Sequence, residues 1–124
     1  MQNTLVQIDL IKRMITSYPK TLAFAASTRD IQEIYKSGKI ASLIGLEGGH
    51  QIGDSVAVLR MMYSLGARYM TLTHTCHTAW ADSCASPGIH NGLSPEGVQG
   101  ILEMNRYVPR LFFRKFSHVF VDWA

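Results

Sequence analysis

Cysteine is scarce in this chain of 124 residues: Cys76 and Cys84 are the only two. Two cysteines cannot build the framework of a small disulfide-held fold. Long hydrophobic runs are also missing, and none approaches the ~18–20 apolar residues of a membrane span. The opening stretch MQNTLVQIDL has no basic segment followed by an apolar one, so no secretory leader is expected in it. Internal repeats and low-complexity segments are absent. So are the HEXXH, GxSxG and Walker-type signatures, which removes the usual local marks of zincins, serine hydrolases and P-loop enzymes. Charged residues are 17% of the chain against 47% hydrophobic, enough apolar material for a packed core and too much for general disorder.

What charge there is sits unevenly. The net charge is +3, yet Arg106, Arg110, Arg114 and Lys115 fall in one stretch without an acid. Outside it, 8 basic residues face 9 acidic ones. The basic character is therefore a property of one tail, and no general nucleic-acid footprint is expected.

The pattern of apolar residues predicts helices and short strands in alternation. Leu5, Ile8, Ile11 and Ile15 recur at helical spacing over 4–17, ahead of Pro19. LAFAA (22–26) has the length of a buried strand. Ser27 or Thr28 is placed to cap a helix over 30–37 that Gly38 ends. IASLIGL (40–46) is a second strand, stopped by Glu47-Gly48-Gly49. A helix over 55–65 closes at Gly66, and RYMTLT (68–73) is a third strand. The segment 74–93 is polar and without period. Ser94-Pro95-Glu96 opens a last helix that runs to about Arg106.

One helix followed by three strand–helix units predicts an α/β fold with parallel strands and right-handed crossovers. A closed eight-stranded barrel takes roughly 250 residues, so this chain supplies less than half of one.

Glu47 and His74 each follow the last apolar residue of an expected strand. The C-terminal strand ends are the functional face of α/β folds, so both side chains should project onto one face. Gly48 and Gly49 permit a tight turn and close backbone approach. His74-Thr75-Cys76-His77 is a poor local zinc site, because no partner stands at a familiar spacing. His50, His77 and His90 read as loop histidines. Nothing beyond composition supports Cys76 as a nucleophile. Met61, Met62 and Met70 read as core filler. Trp80 either walls a pocket or covers a barrel mouth.

Several strings carry a resemblance: Gly45-Leu46-Glu47-Gly48-Gly49-His50, Leu65-Gly66-Ala67-Arg68-Tyr69-Met70-Thr71-Leu72-Thr73-His74, Trp80-Ala81-Asp82, Gly92-Leu93-Ser94 and Glu103-Met104-Asn105-Arg106. Over roughly residues 2–106 the chain resembles the membrane (renal-type) dipeptidases. The resemblance implies a partial (β/α)8 TIM barrel of the amidohydrolase type, with about three βα units in 1–106. Residues 107–124 are read as a divergent basic and aromatic tail. It also implies dipeptide hydrolysis by a water activated on two zinc ions, Glu47 matching the metal-bridging glutamate and His74 a substrate-binding histidine with a catalytic part. Cys76 matches a cysteine that the family pairs with one further upstream, a partner absent here. The family's location implies the cell surface, through a lipid anchor whose signal is not seen in this chain, and its members are often dimers.

The departures from the family are specific. No His-x-Asp pair, the family's first metal ligands, occurs in the chain. Ser117-His118-Val119 is similar to a later family string, but Pro109 and a longer spacing separate it from Glu103–Arg106, so His118 is not assigned as a ligand. One glutamate cannot hold a pair of zinc ions that each take about four ligands. The isolated chain is therefore expected to be weakly stable and nearly inactive, with Leu43, Ile44 and Leu72 left uncovered on an open face. A non-catalytic, dipeptidase-like fragment that pairs with a partner chain, or is merely a truncated product, is the alternative. A third reading takes LFFRKF (111–116) as a segment for an acidic membrane surface, or as an aggregation-prone strand.

Overall fold

A computed structural model describes residues 1–106 and the backbone strand at 120–122. His118, Pro109 and LFFRKF of the tail lie outside the described residues. The chain divides into two compact units, with the boundary between Ile44 and Gly45.

In the first unit, α1 (Gln2–Ser17) precedes β1 (Leu22–Phe24), α2 (Thr28–Lys36) and β2 (Ile40–Ser42). α1 packs on β1 and α2 on β2. β1 and β2 run parallel, with Leu22 opposite Ile40 and Phe24 opposite Ser42, as the βαβ reading expects. The buried stripe of α1 is Thr4, Ile8 and Ile15; Leu5, expected on it, is exposed. Ser27 is the cap of α2. Its Oγ accepts from Asp30 N–H at 3.1 Å, and Asp30 Oδ2 accepts from Ala26 N–H at 2.8 Å. The first bond satisfies a donor that the helix start leaves unpaired, and the second ties the residue before the cap to the first turn. The Ala26 bond, with that of Ser27, holds the Asp30 carboxyl below its ordinary value.

β3 (Ile44–Leu46), whose first residue ends the first unit, leads through a short 3-10 turn (Gly49–Ile52) to α3 (Val56–Ser64) and β4 (Ala67–Thr71) of the second. A long loop then reaches α4 (Pro95–Asn105). The strand order is β3-β4-β5, where β5 is Phe120–Asp122. β5 lies antiparallel on β4, a departure from the all-parallel expectation. The single strand expected over 40–46 is also divided. Pairing with β1 stops at Ser42, β3 begins at Ile44, and Leu43 belongs to neither strand.

The core of this unit contains Leu46, Ile52, Leu59, Met62, Met70, Leu72, Trp80 and Met104. Met61 is 59% exposed, against the expectation of core filler. It neighbours Met62 on a helix, where successive residues point about 100° apart, so one of the two must face away. Ile44 and Leu72 are each only 1% exposed, so they are not on the open face. Strand alternation puts Gly45, Tyr69 and Thr71 on the other side from Ile44, Met70 and Leu72.

α4 starts as its sequence predicts. Ser94 Oγ accepts from Gly97 N–H at 3.0 Å and donates to Ala79 O at 2.5 Å, with Pro95 in the first turn. Beneath it lies Trp80, 1% exposed and packed in the core. A Cβ at Gly97 would come within 2.0 Å of Trp80 O, and one at Gly100 within 2.7 Å of the indole ring. These two glycines are the space in which the tryptophan fits. α3 and α4 are joined by Arg60, whose Nε donates to buried Glu103 Oε1 at 2.5 Å.

Candidate functional site

Glu47 is the first residue past β3, and His74 stands in the loop past β4. β3 and β4 are hydrogen-bonded neighbours, so their ends lie side by side. His74 Nε2 lies 3.4 Å from Glu47 Oε1. Both side chains are open to solvent, 46% for His74 and 73% for Glu47. The two residues singled out from strand-end position therefore do meet on one face.

The turn after Glu47 is built by its glycines. Gly48 has φ +99°, a region L side chains rarely adopt, and its N–H donates to Thr71 Oγ1 at 2.6 Å. Gly49 N–H donates to Leu72 O at 3.1 Å, and a Cβ at Gly49 would lie 2.6 Å from that oxygen. Both bonds tie the turn to the end of β4. They fix the Glu47 backbone beside the chain that leads to His74.

An open cavity of about 350 Å³ is lined by Gly45, Leu46, Glu47, Tyr69 and Thr71. That is near the lower end for small-ligand pockets. A Cβ on Gly45 would sit 2.2 Å from the Tyr69 ring, so the ring occupies the space that a side chain there would need. Tyr69 was not singled out from the sequence. The alternation of Tyr69 and Thr71 with buried Met70 and Leu72 was the signal available.

The polar segment 74–93 is an ordered structure held by side chain to backbone bonds. Asp82 is its centre. Its carboxylate accepts from the N–H groups of Ile89 (2.9 Å), His90 (3.0 Å) and Gly92 (3.0 Å). The Gly92 bond leads in pulling the Asp82 carboxyl down to about 2, against partial desolvation that pushes it up. Thr78 Oγ1 donates to Leu72 O at 3.2 Å and accepts from Trp80 N–H at 3.2 Å. Ser83 Oγ donates to His74 O at 2.6 Å.

The other histidines serve this loop. His77 Nδ1 accepts from Ser83 N–H at 2.9 Å, and Nε2 lies 3.0 Å from Pro87 O. An N–H only donates and a carbonyl only accepts, so the His77 proton is on Nε2. His90 Nε2 donates to Thr78 O at 3.1 Å. His50 is exposed. Cys76 and Cys84 are free and exposed thiols.

Zinc takes carboxylate oxygen and imidazole nitrogen, and Glu47 with His74 offers one of each. A complete site takes about four ligands. Among the described residues no group of three or more His, Cys, Asp or Glu is placed to hold a metal. The described residues thus do not fit a whole zinc site.

The family described as membrane dipeptidase (peptidase family M19) matches residues 1–108. Dipeptidase verJ of Clonostachys rogersoniana is 47% identical over 104 residues, covering 83% of this chain and 27% of that protein. Dipeptidase aclJ of Aspergillus oryzae is 48% identical over 108 residues, covering 85% and 26%. The chain thus spans about a quarter of the length of these curated relatives. The crystal structure of an amidohydrolase from Pseudomonas aeruginosa superposes with a TM-score of 0.78 at 24% identity, over 86% of this chain and 32% of that one. The fold is that of part of an amidohydrolase-type barrel.

Proposed function

The chain belongs to the membrane dipeptidase family, and we propose on that premise that it carries two site groups of a zinc-dependent dipeptidase. The reading is supported above all by the 3.4 Å approach of His74 Nε2 to Glu47 Oε1 at neighbouring strand ends. Glu47 is the metal-ligand carboxylate. His74 is the substrate-contacting residue. With its proton on Nε2 it is a donor suited to the scissile carbonyl oxygen as negative charge develops there. The cavity beside Glu47, walled by Tyr69, is the place for one end of a dipeptide. The described residues by themselves supply too few ligands to hold zinc.

Location at the cell surface goes with this reading, supported by the family's description as membrane dipeptidases. Attachment there through a lipid group is part of the same reading; among the described residues no helix is long and apolar enough to cross a membrane.

A second reading takes the chain as a non-catalytic, dipeptidase-like protein that pairs with another chain. The incomplete donor set among the described residues favours it. A chimera separates the two. Residues 1–106 replace the matching stretch of dipeptidase verJ, and dipeptide hydrolysis is measured with and without chelator. Hydrolysis that chelator and Glu47→Gln both abolish is the expected result. A folded chimera without activity would favour the second reading and remove the first.

A further inference from the structure

His74 stands in a loop with an exposed ring, yet its proposed role needs that ring held beside Glu47. We infer that Ser83 is the positioning residue that holds it there; this rests on the proposed role of His74. Ser83 is 3% exposed, while Cys84 and Ala85 beside it are exposed. Its hydroxyl has one proton, and that proton goes to His74 O over 2.6 Å. The same oxygen accepts from Ala85 N–H at 3.2 Å, which turns its proton away from Ala85. The backbone N–H of Ser83 is in turn tied to His77 Nδ1, whose ring is anchored on Pro87 O.

The carbonyl that Ser83 grips belongs to His74 itself. Fixing it limits the ψ of His74 and so the direction in which its Cβ leaves the chain. Loss of this bond frees a loop residue to turn, and small displacements of a positioned group weaken its action. A merely structural hydroxyl would stabilise the loop without affecting the relation of His74 to Glu47.

The test uses the full chain under reducing conditions, with the ring signals of His74 followed by NMR and assigned through His74→Gln. In the wild-type chain, Glu47→Gln should shift these signals. In Ser83→Ala, melting should change by only a few degrees, while the shift caused by Glu47→Gln falls by half or more. Ser83→Thr, which keeps the hydroxyl, should restore most of it.

A full-sized shift in Ser83→Ala would overturn the role of Ser83. If Ser83→Ala does not fold, Ser83→Cys decides: its weaker donor should give an intermediate shift, and a wild-type shift would overturn the inference. Loss of fold in all three Ser83 variants would also overturn it, since Ser83 would then serve folding alone. None of these signals needs turnover. An inactive verJ chimera with the expected shifts therefore removes the proposed function and leaves the hold of Ser83 on His74. A wild-type chain with no response to Glu47→Gln removes the pair and this inference together.

Discussion

His74 Nε2 reaches to 3.4 Å from Glu47 Oε1, although the two residues come from different strands and different loops. Their approach follows from the pairing of β3 with β4 and from the bonds of Gly48 and Gly49 to Thr71 and Leu72. Each of the two groups has a separable consequence.

In the verJ chimera, His74→Ala should lower kcat/KM by a factor on the order of 10²–10³, the usual effect of losing one donor to a developing oxyanion. Zinc content should be unchanged. Glu47→Gln should lower zinc content and activity together. Steady-state kinetics and metal analysis on both variants check this, and zinc loss in His74→Ala would contradict the division of roles.

Asp82 makes the loop that carries His74 sensitive to acid. Its carboxyl is depressed to about 2 from 3.8, so the folded state binds the proton less readily than the unfolded state. The resulting stability is fully present above pH ~3.8 and is lost as pH falls towards ~2. Asp30 adds a contribution of the same sign in the acid range. Thermal melts between pH 5 and 2 should show Asp82→Asn less stable than the wild type at pH 5, by several degrees. The difference should shrink as the pH falls. A gap that widens in acid would be inconsistent with the depressed carboxyl.

Gly97 leaves no room for a methyl group against Trp80 O. Alanine would gain about 1 kcal/mol of helix propensity. Forcing α4 off the tryptophan should cost about 1–3 kcal/mol or more. Gly97→Ala should therefore lower the denaturant midpoint despite its better propensity. A higher midpoint would show that α4 shifts freely over Trp80.

Local chemistry was the legible part of the sequence. The caps at Ser27 and Ser94, the helix stops at Gly38 and Gly66, and the strand-end places of Glu47 and His74 follow from residues close in the chain. What depended on distant partners was not. The break at Leu43 comes from a change of pairing partner, which no feature of IASLIGL marks. Alternation separates Tyr69 and Thr71 from Met70 and Leu72, but does not say what covers each face. Tyr69 is exposed while Thr71 is buried like Met70 and Leu72, and Ile44 and Leu72, expected to be uncovered, are covered. Asp82 and Ser83 sit in a segment without period. Their work is done through bonds to residues 74 and 89–92, so only the folded loop reveals it.

The proposed role of Glu47 puts it in a metal site for which the described residues supply too few ligands, and zinc per chain tests that most directly. The purified, folded chain is dialysed against trace zinc and its metal content determined, beside the verJ chimera. Well below one zinc per isolated chain is expected, against about two for the chimera, the number a two-metal hydrolase site holds. A value close to two for the isolated chain would contradict the claim, and would mean that this polypeptide, or a pair of its copies, builds the whole site.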